Sequence, residues 1–303
     1  MNRGLILIFS LILILGLGAC YPSEIHAEVV AGSPTPELYA SPTSKLDTPS
    51  PTPTDTPTPT QTPHPTALTC WAAGGRVEQN QLIIKALSNP LIFQVYTPPC
   101  YDQQPNCSYP VLYLIHGQTY TDAQWIRLGA SEAADVLIAG GVSPFIIVMP
   151  REENDRILPS ENPFDEILIE VLIPHIDRNY RTLTDREHRA IGGLSRGGNW
   201  AVHLGLSRWD LFGSIGGHST PAFATDGPPQ IRAWLETIPF EQLPRIYLDT
   251  GDGDRWKENT LRLEAVLTEE SIPHEWHLFT GYHNEHYWSS HVKDYLQWYA
   301  QEW

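Results

Sequence analysis

Residues 189–198 read Arg-Ala-Ile-Gly-Gly-Leu-Ser-Arg-Gly-Gly, and Asn-Trp-Ala-Val-His-Leu-Gly-Leu follows at 199–206. A short β-type run, Arg189–Gly192, enters Gly193-Leu194-Ser195-Arg196-Gly197 and leaves it as a helix-forming stretch over 197–206. Strand, tight turn, helix is the context in which a G-x-S-x-G pentapeptide forms a nucleophile elbow. The glycines allow the sharp turn and clear space around the serine. The first helical N–H groups then face whatever negative charge develops beside its oxygen. A serine carried this way sits at the carboxyl end of a strand, where open α/β sheets place their ligands.

Working outward, the chain alternates strand and helix signals. Leu91–Tyr96, Val111–Ile115, Pro144–Met149, Leu211–Gly216, Arg245–Asp249 and Glu275–Phe279 are short apolar or β-rich runs. Val111-Leu-Tyr-Leu-Ile115 is apolar throughout, as a strand covered on both faces must be. Residues 164–180 place Ile167, Leu168, Val171 and Leu172 on one helical face; further helices are expected over 130–140, 197–206, 257–270 and 289–302. This alternation predicts an α/β fold with a mostly parallel central sheet and helices on both faces.

A serine nucleophile needs a base and a carboxylate that orients it. Arg245–Leu248 runs into Asp249-Thr-Gly-Asp252-Gly-Asp254, which offers three carboxylates. Asp249 belongs to the strand end, so Asp254 stands first and Asp252 second. His283 follows Thr280-Gly281-Tyr282, directly after the last strand, and stands ahead of His286 as the base. His274 and His277 fall at or within that strand. The oxyanion donors expected are the amides of Arg196 and, in the loop His116-Gly117-Gln118 after the strand 111–115, of Gln118. His116 reads as a brace for that loop. The acidic loop lacks EF-hand spacing, and spacing places no third zinc ligand beside the histidines, so neither a metal nor another cofactor is expected.

The 303 residues carry 27 Pro and a net charge of −16. Nineteen basic against 35 acidic side chains argue against a nucleic-acid partner. Eleven of the prolines precede residue 67. Arg3 and the apolar run Leu5–Leu15, ending in Leu17-Gly-Ala-Cys20, read as a lipoprotein signal over residues 1–19. Cys20 is then the lipid attachment site, and the membrane a partner through that anchor. Ser33–Thr66 holds ten Pro and ten Thr, so residues 20–69 read as a disordered, polyproline-like tether. Residues 70–303 form the expected folded domain, lying outside the cytoplasm and carrying −13. That charge disfavours strongly anionic substrates. Cys100 and Cys107 flank a six-residue loop and are expected to close a local disulfide, with Cys70 free or paired to either.

Several stretches resemble the esterase D / enterochelin-esterase-like family of α/β-hydrolases: Val95-Tyr-Thr-Pro-Pro-Cys-Tyr101, Tyr109–Gly117, Leu172-Ile-Pro-His-Ile-Asp-Arg-Asn-Tyr-Arg181, Gly192–Gly198 and Gly281–Trp288. The resemblance spans about 85–300 and implies an α/β-hydrolase fold. It also implies an acid in a Gly-x-x-Asp turn, Gly251–Asp254, and a histidine five residues before a Trp, His283 before Trp288. Tyr282 departs from the pattern, since a Gly often precedes that histidine. The implied activity is a serine carboxylester hydrolase with Ser195, His283 and Asp254, acting on a small-molecule or carbohydrate-linked ester. An acyltransferase of the mycolyltransferase-like type and a non-catalytic surface binding module share the fold. Trp125, Trp200 and Trp256 fall near the site loops, either stacking on substrate or filling core.

Overall fold

The computed structural model describes residues 70–85, 87–153 and 156–303. The signal, Cys20 and the whole of the tether lie outside the described residues. Eight strands make one sheet: β1 (Arg76–Leu82), β2 (Leu91–Thr97), β3 (Val111–Ile115), β4 (Ile146–Pro150), β5 (Arg189–Leu194), β6 (Ser214–His218), β7 (Arg245–Gly251) and β8 (Glu275–Phe279). Their spatial order is β1-β2-β4-β3-β5-β6-β7-β8. The pairs β1–β2 and β2–β4 are antiparallel, and every pairing from β4 through β3 to β8 is parallel. The sheet is therefore mostly parallel, as expected, with an antiparallel hairpin on one edge.

Alternation along the central strands divides the core in two. Val111, Tyr113 and Ile115 face one layer with Ile191, while Leu112 and Leu114 face the other with Ala190. The helices are α1 (Gln124–Arg127), α2 (Ala130–Ala139), α3 (Phe164–Glu166), α4 (Ile173–Asn179), α5 (Arg196–Ser207), α6 (Pro228–Leu235), α7 (Lys257–Glu269) and α8 (Glu285–Tyr299). A π-helical stretch, Ile167–Leu172, joins α3 to α4. Residues of α2 and α8 cover the second face; residues of the 164–176 segment, α5, α6 and α7 cover the first. Side chains on both faces of the central strands thus meet helices, which explains why β3, β4 and β5 are buried at every position.

Two element starts move by three residues or more. The strand expected at 211–216 is β6, Ser214–His218, because Leu211 N–H closes a turn on Arg208 C=O (2.9 Å) and pairing begins only at Ser214. The last helix begins at Glu285 rather than 289, since Asn284 caps it by accepting the Tyr287 N–H (3.0 Å). Cys100 bonds to Cys70, correcting the expected Cys100–Cys107 pair. The register Arg76↔Thr97 sets the residues before β1 beside those after β2, and the Cα atoms of Cys70 and Cys100 lie 5.0 Å apart. The loop to Cys107 instead folds into successive turns, with Gln104 N–H on Cys100 C=O (3.1 Å) and Cys107 N–H on Gln104 C=O (3.1 Å). The Arg181 guanidinium caps its carbonyls at Tyr101 and Cys107.

Candidate active site

Ser195 joins β5 to α5 with φ 53° and ψ −120°, a backbone conformation L residues avoid. Close packing imposes it. A Cβ on Gly197 would lie 2.1 Å from the Ile115 carbonyl oxygen of β3, so the elbow tolerates only glycine there. The Ser195 N–H donates to His218 C=O of the adjoining strand β6 (2.8 Å), and its own C=O accepts the Asn199 N–H (3.0 Å).

Three strand ends bring three side chains together. His283, in the loop between β8 and α8, sets Nε2 2.8 Å from Ser195 Oγ and Nδ1 2.8 Å from Asp254 Oδ2. Asp254 Oδ1 accepts the Trp256 N–H (2.7 Å). A carboxylate only accepts, so the imidazole proton sits on Nδ1 and the Nε2 lone pair meets the serine hydroxyl. Burial alone would raise the Asp254 carboxyl. Hydrogen bonds from His283 and the Trp256 amide, with the Ser219 hydroxyl nearby, reverse this and hold it below its ordinary value. Trp288 stands edge-on to the His283 ring, 5.0 Å between centres, and limits its rotation.

Asp252 and His286 are not part of this chain of contacts. Asp252 is exposed and accepts the Gly281 N–H (3.0 Å), so it shapes the histidine loop. His286 lies in the first turn of α8. Asp249 is wholly buried and bonded to His218, Tyr287 and Tyr295.

Gln118 and Arg196 border the same cleft as Ser195, a hollow of about 470 Å³ that also touches Tyr120, Trp256 and Trp288. The loop bearing Gln118 is held from two sides and by a contact within itself. His116 Nε2 accepts the Glu152 N–H (2.9 Å) while Nδ1 contacts Gly117 C=O (2.8 Å); burial pushes this imidazole below its ordinary value, in keeping with a neutral ring. Gln124 Oε1 accepts the Gly117 N–H (2.8 Å), and Gln124 Nε2 donates to Glu285 (3.2 Å), which Arg127 pairs. This chain couples the Gln118 loop to the residue two after His283. Trp125 and Trp200 are core, with Trp125 Nε1 donating to Ile115 C=O (3.1 Å), whereas Trp256 is 43% exposed in the cleft.

Sequence reasoning missed Glu152. It is buried at the end of β4 and grips the Arg196 side chain through Nε (2.9 and 3.0 Å) and Nη2 (2.6 Å), with Asn162 Nδ2 a further donor (2.7 Å). Its place at the carboxyl end of a parallel strand was the available signal. Among the described residues, no three His, Cys, Asp or Glu side chains cluster as metal ligands do. Nor is any helix among them long and apolar enough to cross a membrane.

A serine hydroxyl, an imidazole and a buried carboxylate joined in series form a relay suited to nucleophilic attack on an acyl group. The family model described as "Putative esterase" matches residues 84–299. The chain belongs to that family. It is 40% identical over 116 residues to an endo-1,4-beta-xylanase/feruloyl esterase of Xylanibacter ruminicola, covering 36% of this chain and 16% of that protein. It is 34% identical over 155 residues to an esterase of Mycobacterium tuberculosis, covering 48% of this chain and 31% of that one. The chain thus spans under a third of the length of either curated relative. Among solved structures it superposes on a ferulic acid esterase with TM-score 0.67 and 25% identity, covering 76% of this chain and all of that one. An S-formylglutathione hydrolase of Staphylococcus aureus superposes with TM-score 0.60 at 15% identity, covering 75% and 99%. The fold is that of the α/β-hydrolases.

Proposed function

We propose that the chain is a serine carboxylester hydrolase, and that its folded part works outside the cytoplasm on a lipid anchor at Cys20. The reading rests on the unbroken series Ser195 Oγ–His283 Nε2 and His283 Nδ1–Asp254 Oδ2, both 2.8 Å, on the wall of an open cleft. Family membership and the feruloyl esterase names of two relatives support it. The location rests on the leader sequence alone.

In this mechanism Ser195 Oγ attacks the ester carbonyl carbon as His283 Nε2 takes the hydroxyl proton. Asp254 keeps the Nδ1 proton in place and stabilises the imidazolium that forms. The carbonyl oxygen becomes an oxyanion held by the amides of Arg196, at the start of α5, and Gln118. Collapse breaks the bond to the alcohol, which leaves with the proton from His283, and Ser195 stays acylated. Water then gives its proton to His283, attacks the acyl carbon and releases the acid. Purified full-length protein should hydrolyse 4-nitrophenyl acetate, and Ser195→Ala should reduce the rate to background. Equal rates for the two would overturn the assignment, as would failure of a fluorophosphonate probe to label Ser195.

A further inference from the structure

The hollow above Ser195 does not end at Trp256. Pro221, Ala222 and Asn259 are shared with an adjoining hollow of about 270 Å³ that extends along α7 to Arg262. Ala222, in the loop forming the shared wall, has φ 58°, so that wall is held in a conformation side chains resist. Strain of this kind persists where the surrounding structure dictates one shape, which suits a surface that must meet a ligand.

The charges along this wall run against those of the chain. Thirty-five acidic side chains face 19 basic ones in the whole sequence. No carboxylate borders the first hollow, and only Asp226 borders the second. Asp226 is 4% exposed and taken up by His203 Nδ1 (2.8 Å) and the Thr225 hydroxyl (2.9 Å). Of the three arginines, Arg196 is neutralised by buried Glu152. Arg255 and Arg262 are exposed and make no ion pair among the described residues. Arg255 lies 5.8 Å from the Trp256 ring centre. Asn259 and Arg262 are spaced i, i+3 on α7 and follow one face, and Arg255 immediately precedes Trp256, the residue that caps that helix. The exposed carboxylates Glu258 and Asp252 lie close in sequence but border neither hollow. The wall is therefore a cationic strip, with Asn259 between its two guanidiniums and an indole face at one end.

We infer that this strip is an anion-accepting subsite, and that the ester substrate carries a carboxylate or phosphate group away from the scissile bond. The inference rests on the esterase reading and deepens it. A guanidinium binds either oxyanion through paired N–H donors, and a planar or sugar ring fits against Trp256. The acidic charge of the remaining surface then repels an anionic substrate from every approach except this one, which reverses what net charge alone implies.

The test compares matched esters on the full-length protein. One set is O-acetyl glucose, O-acetyl glucuronate and O-acetyl glucose 6-phosphate; the other is 4-nitrophenyl butyrate and mono-4-nitrophenyl succinate. The subsite predicts about tenfold higher kcat/KM for an anionic member of at least one set, carried by KM and reduced between 0.05 and 0.5 M salt. Arg255→Gln with Arg262→Gln should bring the anionic-to-neutral ratio to about one, with thermal melting reporting that the variant is folded. A ratio near one in the wild type, or a preference that survives in the double variant, overturns the inference. The two sugar anions distinguish carboxylate from phosphate. If none of the esters is hydrolysed, the esterase reading fails on its own. Equilibrium dialysis of glucuronate and glucose 6-phosphate against glucose, on Ser195→Ala protein, then decides the subsite: anion binding lost with both arginines sustains it, and no binding overturns it.

Discussion

Replacing Asp254 by Asn changes one atom and divides the two carboxylates that the acidic loop offers. In the wild type, Oδ1 accepts the Trp256 N–H and Oδ2 accepts the His283 Nδ1 proton. An amide cannot satisfy both. With its oxygen towards Trp256, its NH₂ faces Nδ1, so the imidazole must put its proton on Nε2. That proton then points at Ser195 Oγ, 2.8 Å away, and the base is lost. With the amide reversed, the NH₂ opposes the Trp256 N–H, and a buried donor without a partner costs about 1–3 kcal/mol. The first arrangement is therefore favoured, and it disables proton transfer while leaving the cleft unaltered. In serine hydrolases an acid-to-amide change of this kind costs about 10³–10⁴-fold in kcat, or about 4–5 kcal/mol of barrier. The expected result is that loss in kcat with KM changed less than about threefold. Asp252→Asn, whose carboxylate is exposed and holds only the Gly281 N–H, should stay within about threefold of wild type. Steady-state kinetics on 4-nitrophenyl acetate read both. A loss below tenfold at Asp254, or a larger loss at Asp252, would refute the argument.

Other consequences follow from the braces around the cleft. His116 is held neutral by burial, so its folded-state pKa lies below the ordinary 6.5. It therefore contributes stability above that value, and the contribution is lost as pH falls through the lower folded value. Urea denaturation should show wild type losing more stability between pH 8 and pH 5 than His116→Gln, and parallel profiles would count against the assignment. Glu152→Ala leaves the Arg196 guanidinium, 12% exposed, without its carboxylate; a loss of about 3–5 kcal/mol is expected by urea denaturation. The Cys70–Cys100 bond closes a sequence separation of 30, so Cys70→Ser should cost about 3–4 kcal/mol. Cys100→Ser should cost the same and the double variant no more, whereas additive losses would contradict the pairing.

Legibility in the sequence tracked how local each determinant is. Val111–Ile115 and Glu275–Phe279 are strands over the residues expected, because the first is an unbroken apolar run and the second is rich in aromatic side chains. The elbow is equally local, since the glycines that shape it lie within two residues of Ser195. β1 was missed: Arg-Val-Glu-Gln-Asn-Gln-Leu is polar and largely exposed, and only pairing with β2 makes it a strand. β6 was displaced because Gly216 and Gly217 are poor strand formers. A Cβ on Gly216 would stand 1.7 Å from the Tyr299 hydroxyl, so a residue on the last helix selects the glycine. Distance in sequence likewise hid the Glu152–Arg196 clamp, whose partners are 44 residues apart, and the Gln124–Glu285 bridge, 161 apart. The disulfide was misplaced for a related reason. Loop length suggested Cys107, but the β1–β2 register decides which cysteine meets Cys100.

Two of the histidine–aspartate pairs among the described residues have nearly equal geometry and different surroundings, which shows what a site needs beyond that contact. His218 Nδ1 lies 2.7 Å from Asp249 Oδ1, as close as His283 lies to Asp254. Yet both partners are fully buried, the ring stacks on Tyr295 at 3.6 Å, and the Tyr299 hydroxyl meets Nε2 at 3.1 Å. Tyr287 and Tyr295 donate to the second Asp249 oxygen, and burial with the Asp249 charge raises both phenols far above their ordinary value. No group there faces a cleft, so nothing can receive a proton from substrate. The main chain of His218 reaches the elbow directly, however, and that of Asp249 reaches it one strand further out. His218 C=O accepts the Ser195 N–H and Asp249 C=O accepts the Ser219 N–H, both at 2.8 Å. Fixing the ends of β6 and β7 from below therefore fixes the strained backbone of Ser195 above. His218 and Asp249 thus act on geometry through their carbonyls, whereas His283 sets its free ring nitrogen against a hydroxyl that borders the cleft.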